Sequence, residues 1–376
     1  MQLITEIDIC PVRLPRKEQV TLRYGSFATL DNVMVAIRTK QGVIGYGEAA
    51  PIPPTFGETQ ATIVEVLNSD LARRLIGKDA LNINARIADL DGLPGHPCAK
   101  AALDVALHDI KGKALGVSVA SLLDGAMRSR IPVAWTLGID EIDQVVAKSQ
   151  AAATDGFTCL KLKGGRDMSH DLRLMQAVRA ALGERGPALR LDLNQGYGNS
   201  SEFFRHLPAL AARGIDLLEE PVPARRWHDY RELARRSSIP VCLDESLVTD
   251  ADAAEIVRSG PGFVANIKIQ KQGGLHKANR LLKAMEAMHV PVVIGAHRDA
   301  WISNTAGIHL AAAMLHLDYA CDVRYAWSLR QDLGIAEGGP ALTEGCATVP
   351  EEPGLGIAIA WDRVKSCAEQ TITVRN

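Results

Sequence analysis

The chain has 376 residues, 47% of them hydrophobic and 23% charged, with a formal net charge of -2. These proportions suit a folded protein with a sizeable core, and the length suits two domains or a barrel with an added cap. The near-neutral balance, without a basic stripe, argues against a nucleic-acid partner, and no apolar run approaches the ~20 residues of a membrane span.

In chain order, the first signals are ITEIDICPVRL and NVMVAIRTKQGVIGYGEA, two β-rich stretches, the second with a Lys40-Gln41-Gly42 turn at its centre. The opening MQLITEIDICPVRLP carries acids where a signal peptide needs a basic region and an apolar core. After the Pro-rich loop PIPPTFGET, the segments ATIVEVLNSDLARRLI and AKAALDVALHDIKGKALG have helical periods, the second stopped by Gly116. Residues 1–125 therefore read as an α+β unit.

From Ile131 the pattern becomes strand, loop, helix, repeated. The strand candidates are 131–139, 158–163, 188–194, 215–221, 239–245, 263–269 and 290–296, with a weaker eighth, LDYACDV, at 317–323. Helical segments such as DLRLMQAVRAALG, YRELARRS and LHKANRLLKAMEAMH separate them. Strands recurring every 20 to 30 residues or so, with helices between, predict a parallel (β/α)8 barrel over 126–348, an α/β fold. The stretch from about Val349, containing GLGIAIAWDRV, is expected to return to the first unit, so that 349–376 complete the cap.

The seven cysteines are scattered, odd in number and lack a CxxC pair. That argues against disulfides and zinc and places the chain in a reducing cytoplasm. Cys159, Cys242 and Cys321 fall inside strand-like runs and are expected as small buried apolar residues.

The chemistry lies at the strand ends. Asp192 closes LRLD, Glu219 closes DLLE and Asp244 closes PVCLD, on the third, fourth and fifth strands. In a barrel these ends form the mouth, where three carboxylates can converge on one hard cation; oxygen-only ligands favour Mg²⁺ over zinc. Any one of these acids could merely cap the following helix. Three on consecutive strands fit that reading poorly. Lys161 and Lys163, two apart, share one face of the second strand, and Lys268 on the sixth lies across the barrel. Two ammonium groups forced together in a low-dielectric mouth should lower at least one lysine pKa towards neutrality.

The ordered set KLK, DLN, LLEEP, LDES and IKIQKQGG resembles the enolase superfamily, in its muconate-lactonizing-enzyme group. The resemblance covers essentially the whole chain, since GYGEA and AKAALDVALHD are similar to that family's capping domain. It implies Mg²⁺ held by Asp192, Glu219 and Asp244, with Glu220 behind the middle ligand. It further implies Lys163 and Lys268 as acid/bases, Lys161 adjusting Lys163, and Asn194 and Glu245 as polar neighbours of the metal and of Lys268. Lysine bases with a Mg²⁺-stabilised ene-diolate are the stated pattern of this superfamily.

The implied activity is abstraction of a proton α to a small-molecule carboxylate, as a racemase or epimerase of an amino-acid derivative or dipeptide, or as a dehydratase or cycloisomerase using the same site. Substrate choice is expected from Arg23, Tyr24 and Ser26 and from Thr55 and Phe56 in two cap loops, and from His297, Arg298 and Asp299, which could contact a polar or anionic substrate tail, and Asp322 and Arg324 after the last strands. Dipeptide epimerases of the group carry Asp-x-Asp on the eighth strand; here the sequence is CDVR, and Arg324 replaces the second acid. His297 also offers a base of the mandelate-racemase kind, but those enzymes pair it with an acid on the sixth strand, where this chain has Lys268. Association of such barrels leads to an expected homo-oligomer.

Overall fold

The computed structural model describes residues 1–375. Strands Ile4–Leu22, Gly25–Thr39 and Ile44–Ala49 form an antiparallel meander, and Ile372–Arg375 from the far end of the chain pairs with the first of them. Leu22 pairs with Gly25 across a tight turn at Arg23 and Tyr24, so the expected first cap loop is the tip of a long hairpin. Helix Pro97–Leu115 lies on this sheet and ends at Gly116 in the left-handed conformation (φ 70°), as the sequence suggested. Gly45 and Gly47 allow the close approach: a Cβ would stand 2.2 Å from the Ala106 carbonyl oxygen and 1.7 Å from that of Ala102.

The second unit is a parallel barrel. Its regular strands are Trp135–Leu137, Cys159–Lys163, Ala188–Asp192, Leu217–Glu219, Val241–Leu243, Phe263–Ile267 and Val292–Ile294, hydrogen-bonded in sequence order. The expected first strand is split: Arg130–Pro132 pairs instead with Cys346–Thr348, and only 135–137 joins the barrel. The eighth strand is not regular. The segment around Cys321 closes the gap by three backbone bonds, Cys321 N to Pro132 O, Ala134 N to Cys321 O and Asp322 N to Ile294 O, at 2.8 to 2.9 Å. Those bonds are enough to hold Asp322 in the ring.

Period two sets the chemistry of each strand. Outward residues such as Leu160, Leu162, Leu189, Leu191, Leu243 and Ile294 pack against the helices in one large core. Inward residues change along the axis. At the closed end Leu217, Cys242, Val264 and Val293 make a separate apolar layer, while towards the mouth the inward places carry Lys161, Lys163, Asp192, Glu219 and Asp244. Cys159, Cys242 and Cys321 are all buried, and every cysteine is free.

The C-terminal segment returns in stages. Ile357–Ile359 pairs with Ala336–Gly338 beside the barrel, then helix Trp361–Ser366 reaches the cap, where Trp361 Nε1 donates to Asp8 at 3.2 Å.

Candidate active site

The acids and lysines meet at the mouth and neutralise one another. Lys163 Nζ donates to Asp192 Oδ2 at 2.5 Å and to Asn194 Oδ1 at 3.0 Å. Lys161 Nζ donates to Glu219 and to Asp322, each at 2.8 Å, and lies 3.0 Å from Asp192 Oδ2. Across the barrel Lys268 Nζ is 2.5 Å from Asp244 Oδ2, and Lys271, unremarked from sequence, donates to Asp244 Oδ1 at 2.8 Å and to the Asp244 and Asn266 carbonyls. All of these side chains are buried.

This arrangement reverses the expected lysine shifts. Burial opposes the charge on Lys161, Lys163 and Lys268, but carboxylates at hydrogen-bond distance outweigh it, and all three are held above the usual lysine range. Of the lysines at the site, Lys271 alone falls below it, through burial. The acids divide as well. Although burial would raise them, lysines depress Asp192 and Asp244, while burial and the neighbouring Asp192 push Glu219 up to about 7.

Glu219 and Glu220 face different surroundings. Glu219 points inward and also accepts from Asn266 Nδ2 at 3.2 Å. Glu220, with a positive φ of 38°, turns behind the site, where it accepts from Tyr230 Oη, Ser246 Oγ and the Asp244 backbone N–H. Its carboxylate thus fixes the backbone beneath Asp244. Gly295, at the end of the seventh strand, leaves space for Lys268, since a Cβ there would be 2.8 Å from Lys268 Cε.

As placed, no three carboxylate, histidine or cysteine side chains among the described residues meet in a metal-ligating cluster, because the lysines stand between the acids. The donor chemistry nevertheless fits a hard cation. Asp192, Glu219 and Asp244 are oxygen donors at the ends of adjacent strands, and Glu245 Oε2 is buried without a hydrogen-bond partner among the described residues. Such an orphaned carboxylate oxygen is costly unless something positive reaches it.

A small cavity of about 20 Å³ sits over the site, lined by Lys161, Lys163, Lys268, Asp244, Asn194 and Glu245. Of the residues expected from the cap, Tyr24, Thr55 and Phe56 line it. Arg23 and Ser26 are instead exposed, because the tight turn sends only Tyr24 inward, and Ser26 bonds to Thr21 at 2.8 Å. His297 and Asp322 also line the cavity. Asp299 is buried away from it, and its neighbour Arg298 takes the place at the wall. Arg324 lines a second, larger cavity of about 500 Å³ that shares Thr136 with the first. Burial lowers His297 to about 3, so its ring is neutral; with Nδ1 bonded to the Ala50 carbonyl at 2.8 Å, it carries its proton there.

The sequence reasoning missed Lys271, Asn266, Tyr325 and Glu48. The buried Glu48 carboxylate accepts from Asn32 Nδ2 and from the Ala300 and Ser303 N–H groups, tying the cap to the segment after the seventh strand. A lone acid inside GYGEA gave a signal, since a carboxylate at the end of a buried strand needs donors.

A capped parallel barrel with acids at three adjacent strand ends and lysines on opposing strands defines a superfamily of enzymes that act on carbon acids. The profile described as Enolase C-terminal domain-like matches residues 144–363, and that of the mandelate racemase / muconate lactonizing enzyme N-terminal domain matches residues 4–124. The chain belongs to the enolase superfamily, in its muconate-lactonizing-enzyme group. It is 28% identical over 364 residues to an N-succinyl-L-Arg/Lys racemase of Bacillus cereus, covering 96% of this chain and 97% of that one. The crystal structure of the N-succinyl Arg/Lys racemase from that organism matches with a TM-score of 0.95 over 100% of both chains. A chloromuconate cycloisomerase of Delftia acidovorans is 30% identical over 374 residues, covering 96% and 98%. A dipeptide epimerase of Cytophaga hutchinsonii, described as complexed with Mg and D-Ala-L-Val, has a TM-score of 0.92 at 28% identity, over 100% of both chains.

Proposed function

We propose that this enzyme is a Mg²⁺-dependent racemase or epimerase of an amino-acid derivative or dipeptide, removing the proton α to the carboxylate with one lysine and returning it with another. The observation that carries this reading is the placement of Lys163 at the end of the second strand and of Lys268 directly after the sixth, lining one cavity from opposite sides of the barrel. A base on each face of a planar intermediate inverts the carbon. Its ionised carboxylate would sit against Asp192, Glu219 and Asp244 through the metal they are suited to hold. When bound there, Mg²⁺ supplies Lewis-acid stabilisation of the developing dianion and draws the charge of the acids away from the lysines.

The rest falls to side chains. Lys163, oriented by Asn194, exchanges a proton with the α-carbon on one face, and Lys268, in the space left by Gly295, does so on the other. Lys161 sits behind, bonded to Glu219 and Asp322, and sets the charge around Lys163. Glu245, which accepts from Asn194 Nδ2 at 3.0 Å, braces that orientation. Tyr24, Thr55 and Phe56 close over the substrate and exclude water.

A second reading, cycloisomerisation or dehydration through the same enolate, is favoured by the relatives named as chloromuconate cycloisomerases. Deuterium wash-in separates the two. Racemisation requires α-deuterium to enter both enantiomers of a substrate in D₂O with no other mass change; loss of water or formation of a lactone overturns it. The buried free cysteines support a reducing cytoplasm, and no described helix is long and apolar enough to cross a membrane. A homo-oligomer remains part of the proposal.

A further inference from the structure

His297, just beyond the seventh strand, is 1% exposed and lines the catalytic cavity, yet its Nε2 has no hydrogen-bond partner among the described residues. A buried ring nitrogen left so is uncommon, because nothing replaces the water it gave up. Buried His309, by contrast, uses both nitrogens, on the Ala120 N–H and the Leu355 carbonyl.

The ring is fixed on two sides. Nδ1 meets the Ala50 carbonyl at 2.8 Å, and a carbonyl only accepts, so Nδ1 carries the proton and Nε2 presents a bare lone pair. Ala50 is itself anchored, its N–H donating to Gln270 Oε1 at 3.1 Å. Phe56 stacks on the ring at 4.8 Å and sets its plane. Burial and the charge of nearby Lys268 keep the ring neutral, so the lone pair persists. The Lys268 ammonium, at the end of the neighbouring strand, is taken up by Asp244. Tyr24, Thr55, Thr136 and Tyr325 bring hydroxyls that turn to donate or accept, whereas Nε2 only accepts.

A substrate α-carbon held between Lys163 and Lys268, with its carboxylate towards the third to fifth strands, turns its other two substituents to the seventh, eighth and first strands and the cap. We propose that His297 Nε2 accepts a hydrogen bond from an N–H group joined to that α-carbon, which makes His297 a specificity residue for secondary amides. The inference rests on the α-carboxylate reading above and narrows it. A tertiary amide leaves the lone pair unmet, and an α-acyloxy acid faces it with another lone pair.

The test compares N-acetyl amino acids with the matching α-acetoxy acids, in which an ester oxygen replaces the N–H at almost the same size, over a panel of side chains. Binding to the Mg²⁺-supplemented protein is measured by calorimetry and α-deuterium exchange by mass. The amide should bind about tenfold better or more, the scale of a hydrogen bond to a buried acceptor. That ratio should fall towards one in His297→Phe, which keeps a flat ring against Phe56. It should recover in His297→Gln, whose amide oxygen reaches the place of Nε2; a merely structural histidine would leave it unmoved. Should His297→Phe fail to fold, nitrogen NMR of protein isotope-labelled at histidine, assigned with His297→Gln, reads the same bond: the unprotonated Nε2 signal should shift with the amide and not with the ester. Equal binding of both probes by the unsubstituted protein, or a ratio unchanged in His297→Phe, overturns the role of His297 while leaving the α-carboxylate chemistry intact. Exchange slowed equally for both probes in His297→Phe, with no ratio in binding, overturns it in favour of a contact with Lys268. If no probe binds or exchanges, the α-carboxylate reading fails and this inference with it.

Discussion

Phe56 of the cap stacks on His297 of the barrel, with ring centres 4.8 Å apart and planes 11° from parallel. The pair joins the short turn Pro53–Phe56 to the segment after the seventh strand, directly over the cavity. A cavity of about 20 Å³ holds about one water molecule, so a substrate enters only when the cap side chains move.

Phe56→Ala should therefore favour the open cap. An aromatic pair contributes ~1 kcal/mol beyond its buried area. The expected result is a KM several-fold higher with a smaller change in kcat, and faster proteolysis around residues 53–58. A fall in kcat with unchanged KM would place Phe56 in the chemistry instead.

Lys163→Ala and Lys268→Ala should each reduce racemisation by three orders of magnitude or so, in line with loss of a general acid or base. Each removes the proton carrier on one face. Activity persisting in the double variant would sink the assignment of both.

Mg²⁺ should raise the melting temperature and EDTA should abolish turnover. A ligand at a hundred times its Kd stabilises the folded state by about 2.7 kcal/mol. Thermal unfolding that is indifferent to both would contradict the role given to Asp192, Glu219 and Asp244.

Lys271→Met should be severely destabilising. Lys271 neutralises Asp244 and satisfies the Asp244 and Asn266 carbonyls. Removing one partner of a buried ion pair typically costs about 3–5 kcal/mol. Urea unfolding measures it, and a loss under about 1 kcal/mol would mean that water or another side chain replaces the ammonium.

His309 gives a pH dependence remote from the site. Its Nδ1 accepts from the Ala120 N–H at 3.3 Å and its Nε2 donates to the Leu355 carbonyl at 3.0 Å, an arrangement open only to the neutral ring. Burial lowers its pKa from 6.5 to about 4. The unfolded chain thus binds the proton more readily, and stability is lost as pH falls from 6.5 towards 4, by about 3 kcal/mol in all. His309→Gln should flatten that part of the stability profile. An unchanged difference between pH 7 and pH 4.5 would show that His309 is already charged.

Much of this architecture is legible in residue order. Leu160, Lys161, Leu162 and Lys163 alternate so that a strand must send leucines to the helices and lysines inward, and the structure does so. The ends of the third, fourth and fifth strands were likewise readable, because each acid follows a short apolar run. The eighth strand was not, since Cys321 joins by isolated bonds whose partners, Pro132 and Ile294, are distant in sequence.

By itself the sequence determined the barrel, its cap, the inward lysines and the order of the acids, because strand periodicity is local and burial of one face is obligatory. Tertiary structure decided what periodicity does not reach. It placed Arg298 rather than Asp299 at the cavity wall, turned Arg23 and Ser26 to solvent, and set Lys271 against Asp244. It also reversed the expected direction of the lysine pKa shifts. Proximity between two ammonium groups on one strand is visible in sequence, but the carboxylates that outweigh it come from other strands, and only folding brings them within 3.0 Å.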